Sequence, residues 1–118
     1  MGTAKDLMTP LPVAVDAAAP VSKAVELLAS LDIRHVPVVN ANGAVLGMIS
    51  DRDVAGEVNA TASVTSVMSA PPICAPPDAD VKALAKLMVD HKIGAVAIVG
   101  DGRLVGIVSY VDVLRSLI

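Results

Sequence analysis

The chain has 118 residues, 54% of them hydrophobic, with a net charge of -3 from 9 basic and 12 acidic side chains. No apolar run approaches the roughly 18 residues of a membrane span, no signal peptide opens the chain, and the lone Cys74 excludes an intrachain disulfide. Tyr110 is the only aromatic residue and no basic block occurs, so the stacking platforms and cationic groove of single-strand nucleic-acid binding are missing; a soluble, cytoplasmic protein with neither a membrane nor a nucleic-acid partner is expected.

In chain order, the first predicted element is a short extended piece, Pro12-Val13-Ala14-Val15, whose proline keeps it out of a helix. An amphipathic helix follows, with Val21, Ala24, Val25, Leu28 and Leu31 at helical spacing and Pro20 suited to its first turn. Two apolar strands come next, Val36–Val39 and Val45–Ile49, joined through the hairpin signal Asn42-Gly43. A short helix starts at Ser50. The series then recurs. Pro72-Ile73-Cys74-Ala75 is extended. Val81, Leu84, Ala85, Leu87 and Met88 form a helix stripe behind the N-cap Asp80, and His91 ends that helix. Strands Val96–Val99 and Leu104–Val108 flank Asp101-Gly102, and a last helix starts at Ser109. Strands this apolar need helices on at least one face. Cys74 is expected as a small buried hydrophobe, and Met48 and Met88 as core filling.

The recurrence is a duplication. At an offset of 60, Met8 falls on Met68, Pro12 on Pro72, Leu27 on Leu87, Ile33 on Ile93, Val36 on Val96 and Val39 on Val99. After one gap, in a turn, the offset is 59: Gly43 meets Gly102, Gly47 meets Gly106, Ser50 meets Ser109 and Asp53 meets Asp112. Repeat one is assigned to residues 1–59 and repeat two to 60–118.

Met8-Thr9-Pro10, Ile33-Arg34-His35-Val36-Pro37-Val38-Val39 and the Gly-x-x-Ser-x-x-Asp phrases at Gly47–Asp53 and Gly106–Asp112 resemble the motifs of a tandem cystathionine-β-synthase (CBS) domain pair, or Bateman module. The resemblance covers essentially the whole chain. It implies an α/β (α+β) fold of two β-α-β-β-α repeats packed about a pseudo-twofold axis, with two clefts. It also implies a regulatory role: such clefts often take AMP, ADP, ATP or S-adenosylmethionine, and such pairs often dimerise.

The signature supports two readings. Ser-x-x-Asp ahead of a helix is a capping-box pattern. The same groups could serve a ligand, with the helix N-terminus and serine hydroxyl facing phosphate and the carboxylate accepting from a ribose diol. Gly47 and Gly106 mark either a bulge or close backbone approach, or tight packing between repeats. Arg34 and His35 are asymmetric, since repeat two has Gly94 and Ala95 there. By resemblance, Arg34 and His35 contact phosphate and share one cleft with Ser50 and Asp53, with the adenine near Ile73. The other cleft, with Ser109, Asp112 and Val13, lacks strong phosphate donors. Alternatively, Arg34 is a solvated charge beside Asp32.

No enzyme is expected. Ser50 lacks the Gly-x-Ser-x-Gly elbow of a serine nucleophile, no phosphate loop occurs, His35 and His91 lack metal-ligand spacing, and no cofactor is implied. The expected function is an adenosine-ligand sensor. The alternatives are a dimerisation or interaction module without ligand, and the regulatory part of a larger enzyme or transporter. A homodimer is expected through Val54, Val113, Leu114 and Leu117.

Overall fold

The computed structural model describes residues 2–10, 12–56 and 59–118. The chain divides into two compact units, one of residues 13–72 and one of residues 1–12 with 73–118. The sequence repeat and the spatial unit are therefore divided differently. The segment that opens the chain joins strands of repeat two, and the segment after residue 60 joins strands of repeat one.

In the 13–72 unit, a three-stranded sheet has the order β2-β3-β4, with β2 Val15–Asp16, β3 His35–Val39 and β4 Val45–Ser50. Helix α2, Val21–Ser30, buries Val21, Ala24 and Leu28. Val25 and Leu31 of the expected stripe remain exposed, so the buried face is the narrower i, i+3, i+7 set. The core joins Val15, Ala24, Leu28, Val36, Val38, Ile49 and Val64. Segment 59–72 closes the unit: Val64 N–H donates to the Ala19 carbonyl at 2.9 Å, and Met48 and Ser69 exchange two backbone bonds of 3.1 and 2.8 Å.

In the other unit the sheet order is β1-β7-β6-β5, with β1 Thr9–Pro10, β5 Cys74–Ala75, β6 Ala95–Gly100 and β7 Arg103–Ser109. Helix α1, Ala4–Leu7, precedes β1. Helix α3, Val81–His91, buries Val81, Leu84 and Met88 behind its Asp80 cap, whose carboxylate accepts from Ala83 N–H at 2.7 Å. Helix α4 spans Tyr110–Arg115.

The duplication is visible in detail. Each β-hairpin carries a register shift at the same place, Val38/Val39 and Ile98/Val99, and the residues opposite are Gly47 and Gly106. A Cβ on either glycine would collide with a thioether, that of Met68 or of Met8. Gly47 and Gly106 thus stand both at a bulge and at a close approach, and the methionine that opens each lead-in fills the space.

The two hairpin turns differ by the gap. Asp101 (φ 52) and Gly102 (φ 75) both have positive φ, as a two-residue type I′ turn requires. In the longer turn the Asn40 side chain accepts from Asn42 N–H at 2.9 Å and Ala44 N–H at 3.1 Å, and Gly43 has φ 82.

Three expectations are corrected here. Repeat one closes with a single 3₁₀ turn, Asp51–Val54, not a short α-helix; Gly56, with φ 84, stands where repeat two has Arg115 and α4 continues. Cys74 is exposed, because its neighbour Ala75 takes the inward position of a two-residue edge strand. Met48 is only half-buried, its inward-facing neighbours being Gly47 and Ile49.

Candidate functional site

In the 13–72 unit, the start of β3 and the end of β4 coincide, since His35 is the antiparallel partner of Ser50. Asp51 N–H donates to the Arg34 carbonyl at 2.8 Å, which carries the pairing one residue further. The 3₁₀ turn then brings Asp53 back: Ser50 N–H donates to Asp53 Oδ2 at 2.7 Å, and Asp53 N–H donates to Ser50 Oγ at 3.3 Å. Arg34, His35, Ser50 and Asp53 are thus gathered at one end of one sheet. Val13 belongs to the same unit and is exposed.

His35 is half-buried. Burial pushes its imidazole pKa below the usual 6.5; the carboxylates of Asp51 and Asp53 oppose that shift and the Arg34 guanidinium adds to it. The ring is therefore neutral at neutral pH.

The 73–118 strands build the same corner. Ala95 partners Ser109, and Tyr110 N–H donates to the Gly94 carbonyl at 2.9 Å. Asp112 Oδ2 accepts from Ser109 N–H at 2.8 Å and from Ser109 Oγ at 3.0 Å. The capping box is thus present in both units and is intrinsic to the closing turn. What differs is the lead-in, Arg34-His35 against Gly94-Ala95. Asp112 also lines an open cavity of about 190 Å³ with Asp6, Leu7, Arg115 and Ser116. Ile73 is half-buried in this unit, and its carbonyl accepts from Ala97 N–H at 3.3 Å.

The segment that follows Ser50 does not present the N-terminus of an α-helix. The segment is one four-residue 3₁₀ turn, and the Asp51 and Asp53 amides already donate to Arg34 and Ser50. Sequence reasoning also passed over Asp51, whose charge acts on His35, and Pro37. Pro37 sits where repeat two has Ala97 and has no N–H to give, so the Val13 carbonyl lacks the strand bond that Ile73 receives. Among the described residues no group of three or more His, Cys, Asp or Glu side chains is placed to hold a metal, and no helix is long and apolar enough to cross a membrane.

The CBS domain family matches residues 4–60 and 64–118, and the chain belongs to that family as a tandem pair. It is 31% identical over 117 residues to the CBS domain-containing protein YhcV of Bacillus subtilis, covering 95% of this chain and 83% of that protein. It is 30% identical over 114 residues to the homoserine O-acetyltransferase of Methanococcoides burtonii, covering 95% of this chain but 23% of the enzyme. The chain therefore spans about a quarter of that enzyme's length, and the match is to its CBS part. Among solved structures, the CBS domain pair of protein MJ0100 in complex with 5′-methylthioadenosine and S-adenosyl-L-methionine superposes with a TM-score of 0.90 at 28% identity, covering 99% of this chain and 96% of that one. CBSX2 in complex with AMP gives 0.86 at 25% identity, covering 99% and 96%.

Proposed function

We propose that this CBS pair is a ligand-sensing regulatory module for an adenosine-containing molecule such as AMP, ADP, ATP or S-adenosylmethionine. The observation that carries the reading is the gathering of Arg34, His35, Ser50 and Asp53 at one sheet end. A guanidinium and an imidazole suit a phosphate, since charge-assisted bonds are the stronger ones. Asp53 Oδ2 is spent on the Ser50 amide, so Oδ1 is the atom for a ribose hydroxyl. On the lead-in segments, Ile73 is the adenine contact of one site and Val13 that of the other. Ser109 and Asp112 form the corresponding corner of repeat two, weaker for phosphate because Gly94 and Ala95 offer no cation. The complexes of MJ0100 and CBSX2 support this choice of ligand class.

Calorimetric titration with AMP, ATP and S-adenosylmethionine tests the reading. Binding should weaken at least tenfold in both Arg34→Ala and Asp53→Ala, and Asp112→Ala should spare the tightest event. A ligand at 100 times its dissociation constant should stabilise by about 2.7 kcal/mol. A flat thermal response to all of these ligands would leave assembly as the module's role.

We also propose a cytoplasmic homodimer that passes ligand occupancy to an enzyme or transporter. Support comes from α4 and the residues beyond it, where Leu114 and Leu117 are 57% and 61% exposed. Val54 and Val113 leave the proposed contact: Val54 packs on the core of its own unit and Val113 is 9% exposed within the other. Sedimentation should show a dimer that Leu114→Lys with Leu117→Lys dissociates; a wild-type monomer at high concentration removes the claim.

A further inference from the structure

The two signature corners differ at a second position. Where repeat two has Tyr110, repeat one has Asp51. The Asp51 backbone is pinned to the Arg34 carbonyl at 2.8 Å, and the residue follows Ser50, the partner of His35. Of the two carboxylates that act on the His35 ring, Asp51 acts more strongly than Asp53. Around the neutral imidazole the corner thus sets one cation, Arg34, against two carboxylates, Asp51 and Asp53. An anion placed on Arg34 and His35 also meets Asp51. Each further phosphate adds negative charge against that carboxylate without adding a cation.

We infer that Asp51 is a specificity-determining residue that limits the phosphate count of the ligand, so that this corner takes an adenosine ligand with one phosphate or none in preference to a di- or triphosphate. The inference rests on the ligand-sensing reading above and deepens it. Asp51 is exposed, so salt screens its effect over about 8 Å at physiological ionic strength. The discrimination is therefore confined to the nearest phosphates and grows as salt is lowered.

The test is calorimetry with AMP, ADP and ATP on wild type and Asp51→Asn, with Asp101→Asn as a charge-loss control in the other unit. Each protein is measured at about 0.02 and 0.15 M salt. Wild type should bind AMP more tightly than ATP. Asp51→Asn should raise ATP affinity about 5- to 10-fold and AMP affinity by less, most clearly at low salt, while Asp101→Asn leaves the ratio unchanged. If all three nucleotides bind and the AMP:ATP ratio in Asp51→Asn stays within about twofold of wild type, the assignment of Asp51 is overturned and the sensing reading stands. If no adenosine ligand binds wild type, the sensing reading fails and takes this inference with it.

Discussion

Gly47 and the Met68 side chain compete for one space. A Cβ on Gly47 would lie 2.6 Å from the Met68 sulfur and 2.7 Å from the Ser69 carbonyl oxygen. The sulfur can swing aside, but the carbonyl is held by the Met48 N–H at 3.1 Å. Gly47→Ala should therefore cost about 1–3 kcal/mol, the usual range for overpacking, and Gly106→Ala, facing Met8, should cost a similar amount. Each kcal/mol lowers Tm by about 4–8 °C in a domain near this size. Adding Met68→Ala to Gly47→Ala should recover only part of the loss, because the carbonyl contact remains. A Gly47→Ala protein that melts with wild type would show that the close approach constrains nothing.

The capping boxes make a second prediction, independent of any ligand. Ser50 Oγ accepts from Asp53 N–H and Ser109 Oγ from Asp112 N–H, each at 3.3 Å. Ser50→Ala and Ser109→Ala should each destabilise the ligand-free protein by about 1 kcal/mol, as loss of an N-cap does, measured by urea denaturation at neutral pH. A loss at Ser50 seen only with nucleotide present would assign the hydroxyl to the ligand instead of the fold.

Pro37 supports a third. Ala97 N–H donates to the Ile73 carbonyl at 3.3 Å, while β2 pairs only through Val15 with Val38 and Asp16 with Val39. Pro37→Ala supplies the missing donor opposite Val13. The new amide at position 37 should exchange with solvent slowly, like that of Ala97, in a hydrogen-exchange experiment. Fast exchange there would mean that something besides the proline keeps the lead-in from pairing.

The sequence carried the repeat, the helix stripes and the hairpins because these rest on local periodicity and on turn residues such as Asp101-Gly102. It also paired Ser50 with Asp53, since three residues separate cap from carboxylate in any capping box. What it missed depends on distant partners. Nothing near Gly47 announces that Met68 fills its Cβ space, and no local pattern says that segment 59–72 completes a unit with repeat one. Cys74 reads as buried because its neighbours are apolar, yet a two-residue strand hides only every second side chain. The closing turn of repeat one reads like that of repeat two, yet Ala55 is already extended and Gly56 has positive φ, so it ends two residues short of its counterpart.

His35 gives a prediction in pH. Its pKa in the folded protein is lowered, first by burial, so below the unfolded value of 6.5 the unfolded chain binds the proton that the fold resists. Stability is therefore full above about pH 6.5 and falls as pH drops toward the folded pKa. His35→Gln removes this dependence. The Tm advantage of wild type over His35→Gln should be larger at pH 8 than at about pH 5. An anionic ligand reverses the sign for binding: phosphate beside the ring favours imidazolium, so AMP binding takes up a proton, and affinity relative to His35→Gln should rise as pH falls through about 6.5. Calorimetry in two buffers of different ionisation enthalpy reads that uptake directly. Equal heats in both buffers at pH 6.5, for wild type and His35→Gln alike, would remove the imidazole from the phosphate contact.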